Sequence, residues 1–364
     1  MNTYKLLTPG PLTTTETVKA QMLVDRCTWD DDYKSITQKI RRELLALGKV
    51  KEGEYTSVLM QGSGSFGVEA TLTCAIGKDD KCLFVINGEY GRRMVTIAQY
   101  AGLNHSVYSA AFDEIPSGAA VKGHLEKDGG ITHIAMVHCE TTTGILNPLD
   151  EVAAIAKQYG KILIVDAMSS FGGIPINIGA LGVDFLISSA NKCIQGVPGF
   201  SFIIARTGAI EKCKGVARSL SLDIYDQWAA MRKDGKWRFT SPTHVVAAFA
   251  RALDELETEG GIKARHERYK ANNALLRKNM KNMGFTAYLD EKIQSPIITT
   301  FVFPAPDFNF PAFYEYVKSR GFVLYPGKLT EVDTFRIGNI GEIYKDDIEK
   351  LCAAIKDYME GKHK

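Results

Sequence analysis

The chain has 364 residues, and its 44 Lys and Arg against 42 Asp and Glu give a formal net charge of +2. This near-neutral balance argues against nucleic-acid binding, which needs a clustered basic surface. A chain of this length is too long for one small core, so we expect one large domain and a smaller one.

Membrane insertion and a secretory route are not predicted either. No apolar run is long enough to cross a bilayer, and residues 1–16 lack the apolar segment of a signal peptide. The seven cysteines are scattered and form no C-x-x-C pair. This pattern is typical of reduced thiols in a cytoplasmic protein, without disulfides or zinc.

Apolar runs alternate with helical patterns over the first two thirds of the chain. Strands are predicted at 56–61, 81–87, 131–140, 161–168, 185–190 and 200–206, and helices at 66–76, 89–102 and 149–160. Continuous apolar strands separated by helices indicate an α/β fold with a mostly parallel sheet that is covered on both faces.

The pattern changes near residue 243. Two long helical segments fill 244–283, short strands are predicted within 297–304, 322–327 and 334–341, and a last helix starts near Tyr344. We therefore expect an arm at 1–20 that contributes to the active site, a large domain at 21–242, and a small α+β domain at 243–364.

Residues that directly follow the apolar strands form a coherent set, because ligands of parallel sheets bind beyond the carboxyl ends of the strands. The first strand is followed by "GSGS", whose Ser63, Gly64 and Ser65 open a helix and can receive an anion. Tyr90 follows the second strand, "ETTTG" the third, Asp166 the fourth and Lys192 the fifth.

Each of these residues has an ordinary explanation when it is taken alone. The glycine–serine turn matches neither the P-loop nor the G-x-G-x-x-G pattern, Tyr90 could be a packing residue, Asp166 a helix cap and Lys192 a solvated charge. Their combination is what pyridoxal 5′-phosphate requires: a phosphate cradle, a stacking aromatic, a carboxylate for the ring nitrogen and a lysine for the aldehyde. We therefore interpret Lys192 as the lysine that forms an imine with the cofactor.

The motifs also resemble a known family. "TPGP", "GSGSFGVEA", "ETTTG", "VDAMSSFGG", "SSANKCIQGVPG", "RFTSPTH" and "FRIGNIG" occur in the order found in fold-type I aminotransferases of the alanine–glyoxylate (serine–pyruvate) group, over nearly the whole chain. The resemblance implies pyridoxal 5′-phosphate as the cofactor, a seven-stranded sheet in the large domain, and a homodimer with composite active sites.

Residue roles follow from this resemblance, motif by motif. Lys192 would attach the cofactor, Asp166 would pair with its ring nitrogen, and Ser63, Gly64 and Ser65 would hold its phosphate. The remaining positions are Tyr90, which stacks on the ring where several relatives have tryptophan, Thr141 at the ring hydroxyl, Met168 on the other face, Thr240 from the second subunit at the phosphate, and Arg336 for the acidic group of the substrate.

Within the group, the motifs are most similar to the branch that transfers the amino group of 2-aminoethylphosphonate to pyruvate. An alanine–glyoxylate or serine–pyruvate aminotransferase is the alternative, since the motifs are largely shared. A cysteine desulfurase is disfavoured, because Cys193 directly follows the lysine and Tyr90 occupies the stacking position. A non-catalytic nucleotide-binding protein is a further alternative, whereas a metal site is not expected, because His133 and His138 would face opposite sides of a strand.

Overall fold

A computed structural model describes residues 4–327, 329 and 331–361. The strands are β1 (Lys5–Leu6), β2 (Tyr55–Gln61), β3 (Cys82–Ile86), β4 (His105–Ser109), β5 (His133–Val137), β6 (Cys139–Glu140), β7 (Ile145–Leu146), β8 (Ile162–Asp166), β9 (Phe185–Ser189), β10 (Phe200–Arg206), β11 (Thr286–Ala287), β12 (Ile298–Val302), β13 (Phe322–Val323), β14 (Tyr325–Pro326) and β15 (Thr334–Gly338). The helices are α1 (Glu16–Ala20), α2 (Asp31–Leu47), α3 (Gly64–Ala75), α4 (Glu89–Tyr100), α5 (Gly118–Lys127), α6 (Leu149–Gln158), α7 (Ile178–Leu181), α8 (Thr207–Glu211), α9 (Ile224–Asp234), α10 (Thr243–Glu259), α11 (Gly261–Asn282), α12 (Phe310–Ser319) and α13 (Lys345–Met359), with a 3-10 turn at Gln21–Leu23.

Seven strands form the main sheet in the order β2-β10-β9-β8-β5-β3-β4. Strand β10 is antiparallel to both of its neighbours, and the other pairs are parallel. The predicted α/β fold with a mostly parallel sheet is confirmed. The register pairs Asp166 with Val137 on one side and with Ile187 on the other, so the end of β8 lies beside the strand that leads to Lys192.

A four-stranded antiparallel sheet, in the order β11-β12-β15-β14, lies in the C-terminal part of the chain. Its apolar residues form a separate core with those of α11, α12 and α13. Helix α10 contributes Val246 and Phe249 to the core of the main sheet instead, although it follows residue 243, where the sequence predicts the domain boundary. The N-terminal segment joins the C-terminal part through parallel pairing of β1 with β13.

Within the described ranges, no helix combines the length and the apolar character needed to cross a membrane. The described part of the chain also contains no group of three or more His, Cys, Asp or Glu residues that could hold a metal ion. His133 contacts the Thr132 hydroxyl at 2.7 Å, and His138 contacts that of Ser170 at 2.9 Å.

Candidate active site

One cavity of about 270 Å³ opens at the carboxyl ends of β8 and β9. It is lined by Ser63, Gly64, Ser65, Tyr90, Asp166, Met168 and Lys192, all of which the sequence predicts at the site, and also by Arg93 and Asn191. Residues that are more than a hundred positions apart in the chain thus surround one space.

Lys192 lies in the loop that follows β9 and is half-buried. Its Nζ donates a hydrogen bond to the carbonyl oxygen of Pro9 at 2.6 Å, so the N-terminal segment closes one side of the lysine. Burial lowers the pKa of Lys192 to about 8, and the positive charge of Arg336 acts in the same direction, while Asp166 opposes it. The amine is therefore deprotonated more readily than an ordinary lysine.

Asp166 ends β8 and is buried. Its Oδ1 accepts a hydrogen bond from the Met168 N–H at 2.9 Å. Burial raises the pKa of Asp166 to about 6, and the carboxylate of Glu140 adds to this shift, while Lys192 and Arg93 oppose it. A cationic group placed against this carboxylate would offset the cost of burying its charge.

The start of α3 supplies the glycine–serine turn. Ser63 is the N-cap residue and makes no side-chain capping hydrogen bond, and the first N–H groups of a helix have no intrahelical acceptor. A Cβ atom at Gly64 would lie 2.5 Å from Sδ of Met168, so any larger residue there would have to displace the Met168 side chain. Arg93 donates to the Ser65 hydroxyl at 3.1 Å, which places a guanidinium beside the start of this helix, where unpaired N–H groups can receive an anion.

Glu140 connects the two segments that carry Tyr90 and Thr141, a role that the sequence did not predict. Its buried carboxylate accepts hydrogen bonds from the N–H groups of Tyr90 (3.1 Å) and Gly91 (3.2 Å), and from the N–H (3.1 Å) and hydroxyl (2.7 Å) of Thr142. It thereby caps the start of α4, which carries Tyr90, and fixes the Thr141 backbone. A Cβ at Gly88 would lie 2.3 Å from its Cγ, so Gly88 leaves room for it. The sequence feature that could have indicated this role is the position of Glu140, a charged residue at the end of an apolar run.

Arg336 lies in the middle of β15 and is fully buried. It donates from Nη1 to the Thr141 carbonyl at 2.8 Å and from Nε to the Pro326 carbonyl at 3.1 Å, and its guanidinium lies 5.0 Å from the centre of the Tyr325 ring. Its buried Nη2 has no hydrogen-bond partner within the described residues. Arg336 and Thr141 do not line the 270 Å³ cavity, but Arg336 is close enough to lower the pKa of Lys192.

Thr240 is exposed and does not line the cavity of its own chain. It borders a second, mainly apolar cavity of about 480 Å³, together with Gly62, Phe66 and Phe239. Gly62 directly precedes the serine at the start of α3, so this second cavity adjoins the glycine–serine turn. The position expected for Thr240, at the cofactor of a second subunit, stays a prediction.

Two arginines follow Tyr90 closely in the chain, Arg92 and Arg93, and they have different surroundings. Arg93 lines the main cavity, and its guanidinium lies 4.9 Å from the centre of the Tyr90 ring. Arg92 instead pairs with Glu89 at 3.0 Å and lies over the Phe112 ring at 4.4 Å. Of these two arginines, Arg93 is the one that adds positive charge to the cavity.

Comparison with known proteins agrees with these observations. The class-V aminotransferase family model matches residues 62–328. The chain is 62% identical over 359 residues to a 2-aminoethylphosphonate–pyruvate transaminase of Lysinibacillus sphaericus, which covers 99% of this chain and 98% of the relative. It is 57% identical over 361 residues to an enzyme of the same name from Bacteroides fragilis, covering 98% of this chain and 99% of the relative.

The fold also matches solved structures. An alanine–glyoxylate aminotransferase of Nostoc sp. superposes with a TM-score of 0.90 at 24% identity, covering 98% of this chain and 95% of that one. At this identity the likeness concerns the fold. The family match extends over most of the chain and the identity to the curated relatives over nearly all of it, and the chain belongs to the class-V aminotransferases.

Proposed function

We propose that this class-V aminotransferase uses pyridoxal 5′-phosphate to transfer the amino group of 2-aminoethylphosphonate to pyruvate, which yields phosphonoacetaldehyde and L-alanine. One observation carries the choice of substrate: the 62% identity, over 99% of the chain, to an enzyme named for this reaction. We further propose that the enzyme works in the cytoplasm, in keeping with cysteines that are all free, six of them buried.

The residues around the cavity fit pyridoxal 5′-phosphate. An amine of lowered pKa, Lys192, suits the aldehyde, and the buried carboxylate of Asp166 suits a protonated ring nitrogen. The uncapped start of α3, with the Arg93 guanidinium beside it, suits the phosphate. Tyr90 and Met168 line the same cavity and offer the faces between which a flat ring can lie. When bound there, the cofactor would supply an electron sink for the carbon that carries the amine.

The side chains would then perform separate tasks. Lys192 would attach the cofactor and afterwards, as a neutral amine, accept the proton from the amine-bearing carbon of the donor. Asp166 would hold the proton on the ring nitrogen. Its burial would strengthen this pairing, because charges attract each other more strongly when they are shielded from bulk water.

Arg336 would bind the acidic end of both substrates. Two of its three nitrogens are fixed by backbone carbonyls, which leaves Nη2 as a buried donor for an anion. A planar guanidinium is suited to a carboxylate as well as to a phosphonate. Pyruvate and 2-aminoethylphosphonate could therefore occupy the same position in turn.

A homodimer is the proposed active unit. Phe66 and Phe239, on the wall of the second cavity, are 52% and 51% exposed, and Leu220 is 76% exposed. Exposed apolar side chains that lie together, as Phe66 and Phe239 do on this wall, are typical of a protein–protein contact. Burial of this surface by a second copy would bring the partner's Thr240 region to the phosphate end of the site, as expected for composite sites.

The proposed substrate can be tested by comparing donor and acceptor pairs on the purified holoenzyme. We expect kcat/KM to be highest for 2-aminoethylphosphonate with pyruvate, and lower by at least roughly tenfold for L-alanine with glyoxylate and for L-serine with pyruvate. Conversion of the donor should also bleach the visible absorbance of the bound cofactor in the absence of any acceptor. Faster turnover of alanine with glyoxylate, or of serine with pyruvate, would show that the alternative aminotransferase activity is the correct one.

A further inference from the structure

Two backbone segments of the proposed site meet at helix α11 (Gly261–Asn282). One is the loop that directly follows Lys192, and the other follows β15, the strand that carries Arg336. We propose that Arg265 and Arg268, both held by the single carboxylate of Glu259, are positioning residues that fix the distance between Lys192 and Arg336. The inference rests on the roles proposed above for these two residues.

Arg265 binds the loop that directly follows Lys192. Its side chain is almost fully buried and donates from Nη1 to the carbonyl oxygens of Cys193 (2.9 Å) and Ile194 (3.2 Å). Its Nε and Nη2 lie 2.8 Å and 2.7 Å from Oε2 of Glu259. The guanidinium is therefore fixed by the Glu259 carboxylate on one side, and on the other side it binds the backbone carbonyls of the two residues after Lys192.

Arg268 holds the second segment in the same way. Its Nη1 donates to the carbonyl oxygens of Gly341 and Ile343, both at 2.9 Å. Its Nε lies 2.7 Å from Oε1 of Glu259, and its Nη2 lies 3.2 Å from Oε2. Gly341 is five positions after Arg336, so this contact secures the chain just beyond the end of β15.

Gln195 links the two segments directly. Its buried amide donates to the hydroxyl of Tyr269 at 2.7 Å and to the carbonyl of Gly341 at 2.9 Å. Its backbone has φ of +69°, a left-handed conformation that is uncommon for residues other than glycine. The loop after Lys192 is thus turned so that this side chain reaches the segment after Arg336.

Glu259 can pair with both arginines because it lies at the turn between α10 and α11. It is the last residue of α10, and Gly260 and Gly261 follow with φ of +105° and +73°, so α11 starts beside its carboxylate. Residues three positions apart lie on one face of a helix, which presents Arg265 and Arg268 together. Burial alone would raise the pKa of Glu259, but the two guanidiniums hold it below its ordinary value.

The network has a consequence for catalysis. Buried ion pairs contribute little net stability compared with apolar residues of the same size, so stability alone does not explain this arrangement. A substrate must reach from the attached cofactor, at Lys192, to Arg336. Small changes in that span would misplace the reacting carbon, and a misplacement of about 1 Å can cost a hundredfold in rate.

The experiment compares Arg265→Lys and Arg268→Lys holoenzymes with wild type. A lysine keeps the charge beside Glu259 but loses the planar fork that reaches the carbonyls. We expect Arg265→Lys to shift the pH midpoint of the visible absorbance of the Lys192-bound cofactor by at least about half a unit and to lower kcat roughly tenfold, with both KM values unchanged. We expect Arg268→Lys to raise KM for both substrates roughly tenfold and to leave the midpoint unchanged.

Glu267→Gln is the matched control, because it breaks only the exposed Lys270–Glu267 pair of the same helix. It should alter neither the midpoint nor KM. If Arg265→Lys does not fold, Gln195→Met tests the same link, and we expect it to change the midpoint and KM together. Folded variants that match the control, or two arginine variants with equal losses in kcat and KM, would overturn the inference. A wild-type protein without visible absorbance or turnover would instead refute the proposed function.

Discussion

Burial adapts the amine of Lys192 to its proposed chemistry. An ordinary lysine has a pKa of about 10.5, whereas burial places that of Lys192 at about 8. Because of this lower pKa, the neutral, nucleophilic amine becomes abundant at a pH about 2.5 units lower than in an exposed lysine.

We therefore expect the rate of covalent cofactor attachment to the apoprotein to rise with pH and to level off above about 8. Stopped-flow absorbance measures this rate, and Lys192→Ala should show no attachment at any pH. Borohydride reduction and peptide mapping should then find the pyridoxyl group on Lys192. A rate that keeps rising to about pH 10, or a label on another lysine, would contradict the assignment.

Asp166 provides a second test at the scale of one residue. Asp166→Asn keeps the size of the side chain but removes the charge that would hold the ring nitrogen protonated. We expect kcat to fall at least about a hundredfold, the size of loss seen when one pre-organised electrostatic partner is removed.

Asp184→Asn is the control for Asp166→Asn. Asp184 is also buried, but it directly precedes β9, at the end of the strands opposite to Asp166. There it accepts a hydrogen bond from the Leu163 N–H at 2.9 Å and pairs with Arg206 at 3.0 Å. This variant should lose stability and keep its kcat. Near-normal kcat in Asp166→Asn would mean that this carboxylate does not serve the cofactor.

The N-terminal segment contacts the proposed catalytic amine directly, through the hydrogen bond from Lys192 Nζ to the carbonyl oxygen of Pro9. Gly10 has φ of +118°, and a Cβ atom there would lie 2.8 Å from Cδ and 2.9 Å from Nζ of Lys192. Gly10→Ala should therefore displace the lysine or the segment.

We expect Gly10→Ala to lower kcat by roughly tenfold or more, and to weaken cofactor retention during dialysis. Gly129→Ala is the matched control, because a Cβ at Gly129 would meet nothing within 4 Å. Equal kcat and equal cofactor retention in the two variants would show that the segment does not constrain Lys192.

The sequence predicted the strands whose own residues form a continuous apolar run. The run 200–206 coincides with β10, and the runs that end near Asp166 and Lys192 became β8 and β9. Strand β4, with the sequence "HSVYS", was not predicted, because it is the edge strand of the sheet, its residues are half-buried or exposed, and they form no continuous apolar run.

Contacts between distant residues could not be predicted in this way. The four hydrogen bonds to Glu140, and the network in which Arg265 meets Cys193 across 72 positions, depend on how the sheets and helices pack. "ETTTG" was predicted at the site, with Thr141 at the cofactor ring, but the hydrogen bonds of its glutamate were not predicted. Asp166, in contrast, ends an apolar strand and Lys192 comes three residues after the next one, and their position in the chain was enough to bring them together.

The arrangement of the whole molecule decides whether each site needs a second subunit. Thr240 is exposed, and it borders the cavity next to the glycine–serine turn. If it reaches the cofactor of the partner, each site takes Lys192 from one subunit and Thr240 from the other. The two lesions can then be separated by mixing subunits.

We expect Lys192→Ala and Thr240→Asp to be nearly inactive as separate homodimers, the second because its carboxylate would repel the cofactor phosphate. Mixed dimers, isolated with two different affinity tags, should have about half of the wild-type activity, because one of their two composite sites carries neither substitution. The control places both lesions in one chain and pairs it with wild type. Each site of that dimer carries one lesion, so it should stay inactive. Activity in the control with none in the first mixture would instead assign Thr240 to the site of its own subunit.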